Sequence, residues 1–466
     1  MGHLCTVQSN PRVRLLDPAA GTGTLAAAAC EALAISPNPP QRIELVAYEL
    51  NKGLQPALNA CFSYLSSWLN QSGIELVTRL EMADFVQDNA GAIEGEPLPV
   101  GEAFDIVICN PPYSKLPKSD PRVQACLAIV HGQPNLYGLF MAIGAAMLGQ
   151  GGRFVFITPR SFASGPYFRQ FRQWFFERIQ LTDLHTFESR TKAFDEVLQE
   201  TMITAGDRVA TWQETRGGSV RISVSDGAAD LGQRQSRVLP VSSVLREDCG
   251  QSFLYLPTHE EDDRVRELVG TWTGSLHAYG WEVSTGPVVG FRATQWLLTE
   301  AAQRFAPLLW LQHIHPMSVQ WPLEIRKAQF IADTDESAHL LLENTNYVVV
   351  RRFSAKEEPR RLTAAPYLAA RFGEFARVGL ENHLNYIHCP SAGNLTDDEA
   401  FGLAALLNSR LMDTWFRIGS GNTQVSATEL RALPLPALEV IRRVGTKVRL
   451  GADVDTVVEE EVSYAR

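Results

Sequence analysis

Asn110-Pro111-Pro112-Tyr113 brings together an amide, two main-chain carbonyls that lack competing N–H groups, and an aromatic ring. The set suits a flat, neutral, nitrogen-bearing substrate. Its acceptors can hold both hydrogens of an amino group while the ring stacks on the substrate's face. Asn and Pro are also ordinary turn formers, so the tetrapeptide read alone is equally a rigid loop. The preceding run Phe104-Asp105-Ile106-Val107-Ile108-Cys109 has the composition of a buried parallel strand. Two prolines cannot continue a ladder, so the chain must turn at the strand's carboxyl end, where open α/β sheets place their chemistry.

A second signature lies upstream. Leu15 and Leu16 lead into Asp17-Pro18-Ala19-Ala20-Gly21-Thr22-Gly23, and an Ala-rich helix follows through Leu33. Gly21 and Gly23 let the backbone approach a ligand and adopt φ values that other residues avoid. The helix N-terminus suits a carboxylate or phosphate. The next strand, Ile43 to Glu49, carries an acid at its tip, the position that holds ribose hydroxyls in nucleotide-binding βαβ units. Asp84-Phe85 ends the third strand with an acceptor and a ring suited to an adenine amino group and face. Each acid alone reads as solvated surface; four strand-end signals in order read as one site.

The order Asp-Pro-Ala-x-Gly-x-Gly, acidic strand end, Asp-Phe, Asn-Pro-Pro-Tyr resembles class I S-adenosylmethionine-dependent amino-methyltransferases. Four later stretches narrow the resemblance: Gly286-Pro287-Val288-Val289, Arg352 to Glu358, Glu381 to Ile387, and Gly421 to Val425. With these the chain resembles the PstI/BsuBI type of DNA adenine-N6 methyltransferase, of the gamma arrangement with a TaqI-like catalytic domain. That implies S-adenosyl-L-methionine as cofactor, held by Asp17, Pro18, Ala19, Gly21, Gly23, Glu49, Asp84, Phe85 and Asn110. It implies Asn110, Pro111, Pro112 and Tyr113 as the catalytic group, acting on a flipped adenine on which Tyr113 and Phe194 stack. For Phe194 a core position is the competing reading. Relatives carry a segment upstream of the first strand that closes over the methionine end; here only Met1 to Val13 precede Arg14, either a truncation or a start assigned late, which bears on cofactor affinity more than on catalytic identity.

The elements that must position these residues alternate through the first half. Asn135 to Leu148 reads as a helix, Arg153 to Thr158 as a buried strand, Phe168 to Ile179 as a helix and Leu181 to Thr186 as a strand. This predicts an α/β, doubly wound, mostly parallel Rossmann-like sheet. Gly206 to Gln235 reads as closing strands plus a linker. Beyond Ser252 the alternation stops, and a separate α+β target-recognition domain is expected. Thr396-Asp397-Asp398-Glu399 and Ser426-Ala427-Thr428-Glu429 are capping boxes that start helices, and Leu433-Pro434-Leu435-Pro436 stops regular structure. The expected boundaries are 1–235 for catalysis, 252–440 for recognition and 441–466 as a tail.

Within the second half, Arg351, Arg352, Lys356, Arg360 and Arg361 form a basic segment suited to phosphates, although a solvated charged face is the commoner meaning of such a run. Asn422 and Gln424 can read adenine edges bidentately, or belong to a capped turn ahead of Ser426. The resemblance adds double-stranded DNA as partner, a separately encoded restriction endonuclease acting on the same site, a six-base palindrome of the CTGCAG kind, and a monomer in solution.

The 466 residues suffice for two or three domains. Seven cysteines without CxxC or metal spacing predict reduced thiols and no structural zinc in a cytoplasmic enzyme. No signal peptide is visible, and the longest apolar stretch, Leu136 to Leu148, is too short for a bilayer. The net charge of −10 decides nothing about nucleic acid, because phosphate contact needs only a local basic surface. RNA and protein-glutamine methyltransferases share the Asn-Pro-Pro-Tyr motif but lack a large C-terminal recognition domain. A fused endonuclease–methylase would need a Pro-Asp…Asp/Glu-x-Lys cluster, which is not found, and a non-catalytic DNA-binding subunit would not need Asn110, Tyr113 and Glu49 together.

Overall fold

A computed structural model describes residues 1–5, 10–187, 200–227, 229–248, 251–301, 303–354, 358–390, 393–420 and 424–464. The chain divides into two compact units, Met1–Thr258 and the residues from His259 onward, with Gly419 and Ser420 grouping with the first.

The first unit is built on a nine-stranded sheet among the described residues. Its strands are β1 (Arg12–Asp17), β2 (Arg42–Tyr48), β3 (Glu75–Glu81), β4 (Phe104–Cys109), β5 (Leu148–Pro159), β6 (Ile179–Phe187), β7 (Thr201–Arg208), β8 (Ser219–Ser225) and β9 (Gln235–Pro240). The order is β3-β2-β1-β4-β5-β7-β6-β8-β9. β3, β2, β1, β4 and β5 run parallel, and β7 lies antiparallel between β5 and β6.

Alternate residues of the central strands feed two separate cores. Leu15, Ile106, Ile108 and Val155 face the side of α1 (Thr24–Ala34) and α2 (Gln55–Gln71). Leu16, Val107, Phe154 and Phe156 face the side of α3 (Phe85–Asn89), α4 (Pro121–Gln124), α5 (Leu136–Met147) and α6 (Arg169–Phe176). Burial on both faces explains why these strands read as continuous apolar runs. Each fully buried aliphatic side chain contributes ~1.5–3 kcal/mol, which makes this centre a rigid platform for the loops at its carboxyl edge. The doubly wound sheet expected from the sequence is therefore observed.

Several boundaries differ from expectation. β5 begins at Leu148 rather than Arg153, because Leu148 pairs with Phe104 across an irregularity in the ladder before Arg153 pairs with Ile106. The sixth helix ends at Phe176, since Ile179 is drawn into the sheet opposite Arg208. The stretch 206–235 supplies closing strands as expected, β8, whose Val220, Ile222 and Val224 are buried, and the start of β9, and the first unit runs on past it in place of a linker. The first unit then continues to Thr258 through a hairpin of Leu245–Asp248 and Gln251–Leu254.

The second unit is α+β. An antiparallel sheet pairs Glu282–Thr285 with Leu384–His388, that strand with Tyr347–Arg351, and the latter with Ala364–Tyr367. A five-stranded sheet of short strands lies in the same unit. Both capping boxes form: Thr396 accepts from the Glu399 amide, and Ser426 from the Glu429 amide. The expected tail 441–466 is corrected. Leu438–Arg449 and Val454–Tyr464 are helices of this unit, and the first crosses Asp397–Asn408 so closely that a Cβ on Gly402 would sit 1.9 Å from the Ile441 carbonyl. No described helix is long and apolar enough to cross a membrane.

Candidate active site

The carboxyl ends of β1, β2, β3 and β4 converge on a cleft of about 630 Å³, within the range of small-molecule sites. Pro18, Ala19, Gly21, Glu49, Asp84, Phe85, Asn110, Pro111, Pro112 and Tyr113 all line it. These residues come from four segments far apart in the chain, and the strand order puts them side by side.

Gly21 (φ 56) and Gly23 (φ 86) both take the left-handed conformation, and Gly23 caps α1. A Cβ on Gly21 would meet nothing within 4 Å, so the space above that turn is open to a ligand. Gly23 points inward, where a Cβ would lie 3.0 Å from the Cys61 sulfur. The Glu49 carboxylate accepts from the Gly21 amide (2.9 Å) and the Asn51 amide (2.8 Å). A carboxylate offers about four lone-pair positions, so about two remain for hydroxyl donors. An open glycine turn beside a half-engaged carboxylate fits the ribose and methionine parts of S-adenosylmethionine.

Asp17 and Gly23 are not part of the cleft wall, contrary to their expected place around the methionine end. Asp17 is fully buried beneath the turn, where Oδ1 accepts from the Ala19 amide at 3.3 Å and Oδ2 has no partner among the described residues. Burial pushes its carboxyl up to about 7, with the nearby Glu49 charge adding to the rise. Asp17 therefore supports the loop from below.

Asp84 caps α3, accepting from the Val86 (3.0 Å) and Gln87 (3.1 Å) amides. Phe85 is only 2% exposed and packs between Tyr48 and Phe140, with ring centroids 5.3 and 5.1 Å away. It therefore offers the cleft little free surface. Leu50, 63% exposed, supplies the open apolar surface there. Leu50, Phe140 and Arg122 also line the cleft and were missed in the sequence. Leu50 was findable as the neighbour of the acidic strand end. Arg122 binds Asp120 at 2.7 Å and approaches Asp84 to 3.8 Å.

At the end of β4, Asn110 is exposed and Pro111 buried. The Tyr113 hydroxyl donates towards Asn110 Oδ1 and the Ile157 carbonyl. Its ring stands edge-on to Tyr137, itself hydrogen-bonded to Ser161 at 2.7 Å. Burial pushes the Tyr113 phenol above its ordinary range, so it remains a neutral donor. Phe194 lies outside the described residues.

The basic segment of the second unit is largely internal. Arg361 is 1% exposed, with its guanidinium over the Phe416 ring and Nε donating to Ser354 at 3.1 Å. Arg360 pairs with Asp455 at 2.6 Å. Arg361 is not the open phosphate contact expected, because it is committed to packing within the unit, whereas the Arg360 side chain stays 30% exposed in its ion pair. Arg351 is half-buried, and its Nε donates to the Ile314 carbonyl at 2.7 Å. Arg352 is half-buried and donates to the Asn382 carbonyl at 3.1 Å. Gln424 is exposed and bridges to Phe353; Lys356 and Asn422 lie outside the described residues.

Backbone hydrogen bonds gather the four stretches singled out in this half. Gly286 N donates to the Leu384 carbonyl (2.9 Å), Asn382 N to Val288 (2.9 Å), Arg352 N to His383 (2.9 Å) and Val425 N to Arg352 (2.8 Å).

Residues 66–194 match the Eco57I restriction-modification methylase family. Over 437 residues the chain is 33% identical to type II methyltransferase M.BsuBI of Bacillus subtilis, covering 93% of this chain and 84% of that one. It is 31% identical over 455 residues to type II methyltransferase M.PstI of Providencia stuartii, covering 97% and 87%. Among solved structures, the DrdV–DNA complex is similar at a TM-score of 0.47 with 12% identity, over 96% of this chain and 56% of that one. The sheet and its strand-end cleft are those of a Rossmann-like, class I methyltransferase, whose cofactor is S-adenosylmethionine. The chain belongs to the family of type II methyltransferases of restriction–modification systems that includes M.BsuBI and M.PstI.

Proposed function

We propose that this methyltransferase acts on the N6 of an adenine at a specific site in duplex DNA. The observation that carries this reading is one cleft that joins the Gly21–Glu49 turn to Asn110 and Tyr113. When bound, S-adenosylmethionine supplies an electrophilic methyl on its sulfonium. Glu49 would accept hydrogen bonds from the ribose hydroxyls and Asp84 from the adenine amino group, with Leu50 and Phe85 beside the adenine ring.

Adenine N6 is a weak nucleophile because its lone pair is delocalised into the ring. Asn110 Oδ1 and the Pro111 carbonyl accept its two hydrogens and aim the nitrogen. Pro112 keeps the turn rigid, and Tyr113 stacks on the base. These bonds strengthen as positive charge builds on the nitrogen, which is the differential binding that lowers a barrier. No general base is needed before transfer, and positioning supplies most of the effect. The base must leave the duplex to reach the cleft. The first unit performs transfer and the second selects the sequence.

The test is tritium transfer from S-adenosylmethionine to duplex DNA, followed by nucleoside analysis, with single-stranded RNA and a glutamine-containing peptide as controls. Label in N6-methyladenine of duplex DNA is expected. Label in N4-methylcytosine, in RNA or in the peptide would overturn the assignment.

A further inference from the structure

The second unit holds an arrangement that the transfer chemistry does not use. Glu381 is 2% exposed, yet its carboxylate is given wholly to one neighbour that is not buried. Oε1 lies 2.6 Å from His383 Nδ1, and Oε2 accepts from the His383 amide at 3.0 Å. The His383 side chain remains 49% exposed. The Phe353 ring flanks it at 4.9 Å between centroids. The backbone on either side is clamped: Asn382 N donates to Val288, and Arg352 donates through its amide to the His383 carbonyl and through Nη1 to the Asn382 carbonyl.

Burying a carboxylate is costly unless it is paired, and here the pairing fixes the orientation of a surface ring. A histidine needed only for packing would itself be buried. The Glu381 oxygen faces Nδ1 and leaves Nε2 turned outward; in the tautomer with its hydrogen on Nδ1, Nε2 carries a lone pair. Nε2 has no hydrogen-bond partner among the described residues. The result is an exposed acceptor with one fixed direction. Phosphate oxygens are acceptors too and cannot satisfy it. The donors on the major-groove edge of DNA are the exocyclic amino groups of adenine and cytosine.

We propose that His383, oriented by Glu381, reads the amino group of one adenine or cytosine in the recognised DNA site. This rests on the duplex-DNA reading above and assigns one specificity contact within it.

The test uses the full chain and the site defined by sequencing methylated DNA from cells that express it. Initial rates of tritium transfer are compared for wild type and His383→Phe on duplexes in which each amino-bearing base is replaced singly by an analogue without that group, purine for adenine or 2-pyrimidinone for cytosine. Wild type should lose about tenfold at several positions. His383→Phe should be slower by about tenfold on the intact site and indifferent to amino deletion at one base pair, while keeping the wild-type penalty elsewhere. An equal penalty at every position in both proteins would overturn the proposal. So would a uniform loss across all duplexes with a shallower salt dependence, the mark of a phosphate contact. Retained cofactor binding and melting temperature show that the variant is folded; if His383→Phe fails that check, His383→Asn takes its place. Wild type that methylates no duplex DNA would remove the DNA reading and this inference together, whereas a sequence-selective wild type matched by the variant removes this inference alone.

Discussion

The Tyr113 hydroxyl lies 2.9 Å from Asn110 Oδ1 and 3.1 Å from the Ile157 carbonyl, so a single proton serves two acceptors. The hydrogen bond to Asn110 fixes which way its amide faces, and that choice decides whether an acceptor or a donor meets the target base. Tyr113→Phe keeps the ring and removes the proton. A neutral hydrogen bond contributes ~0.5–1.5 kcal/mol, so the single-turnover rate should fall by ~2- to 10-fold with cofactor affinity unchanged. Tyr113→Ala should cost more, since base stacking adds ~1–3 kcal/mol. A Phe variant as fast as wild type would mean that the hydroxyl plays no part in aiming Asn110.

Glu49 already accepts two backbone amides, so it shapes the glycine turn as well as the proposed ribose site. Glu49→Ala should weaken cofactor binding by the ~1.5–3 kcal/mol of a charge-assisted hydrogen bond, measurable by calorimetry. An unchanged dissociation constant in a folded variant would remove Glu49 from cofactor binding.

Asp17 should make stability fall as pH rises. Its carboxyl is raised by burial from 3.8 to about 7, so the folded chain holds a proton between those values that the unfolded chain has released. Stability therefore declines across that window, by at most about 1.4 kcal/mol per pH unit from this group. His185, lowered by burial to about 4, titrates over part of the same window with the opposite sign. Comparing Asp17→Asn with wild type cancels it. The variant should gain stability relative to wild type from pH 5 to pH 8 in urea titrations; parallel curves would contradict the assignment.

Arg361→Met should act on stability. The guanidinium is buried against Phe416 and bonded to Ser354, so its loss should cost ~1–3 kcal/mol and lower the melting temperature. The salt dependence of DNA binding should keep its slope. A shallower slope with an unchanged melting temperature would restore the phosphate-contact reading.

Much of the cleft lining was legible because its parts are local: Glu49 and Asn110 directly follow apolar runs, and strand–helix alternation fixes where those ends meet. Arg361 was misread because the ring it packs on, Phe416, lies far along the chain. Charge in sequence does not say whether a guanidinium meets water or protein. Arg122 and Phe140 carried no signal for a related reason: each reaches the cleft from a helix whose approach depends on tertiary packing. The last two helices were taken for a tail because the close crossing of the first of them at Gly402 and Gly445 is a matter of tertiary packing.

In the second unit, the stretches around Val288, Arg352, His383 and Val425 are joined through main-chain amides and carbonyls. Such joints are indifferent to side-chain identity. If His383 and Gln424 read bases as proposed, they can be exchanged while the frame that presents them persists, and a new modification specificity needs no rebuilding of the enzyme. On the proposed reading, divergence of target sites among relatives needs few substitutions and leaves the frame intact.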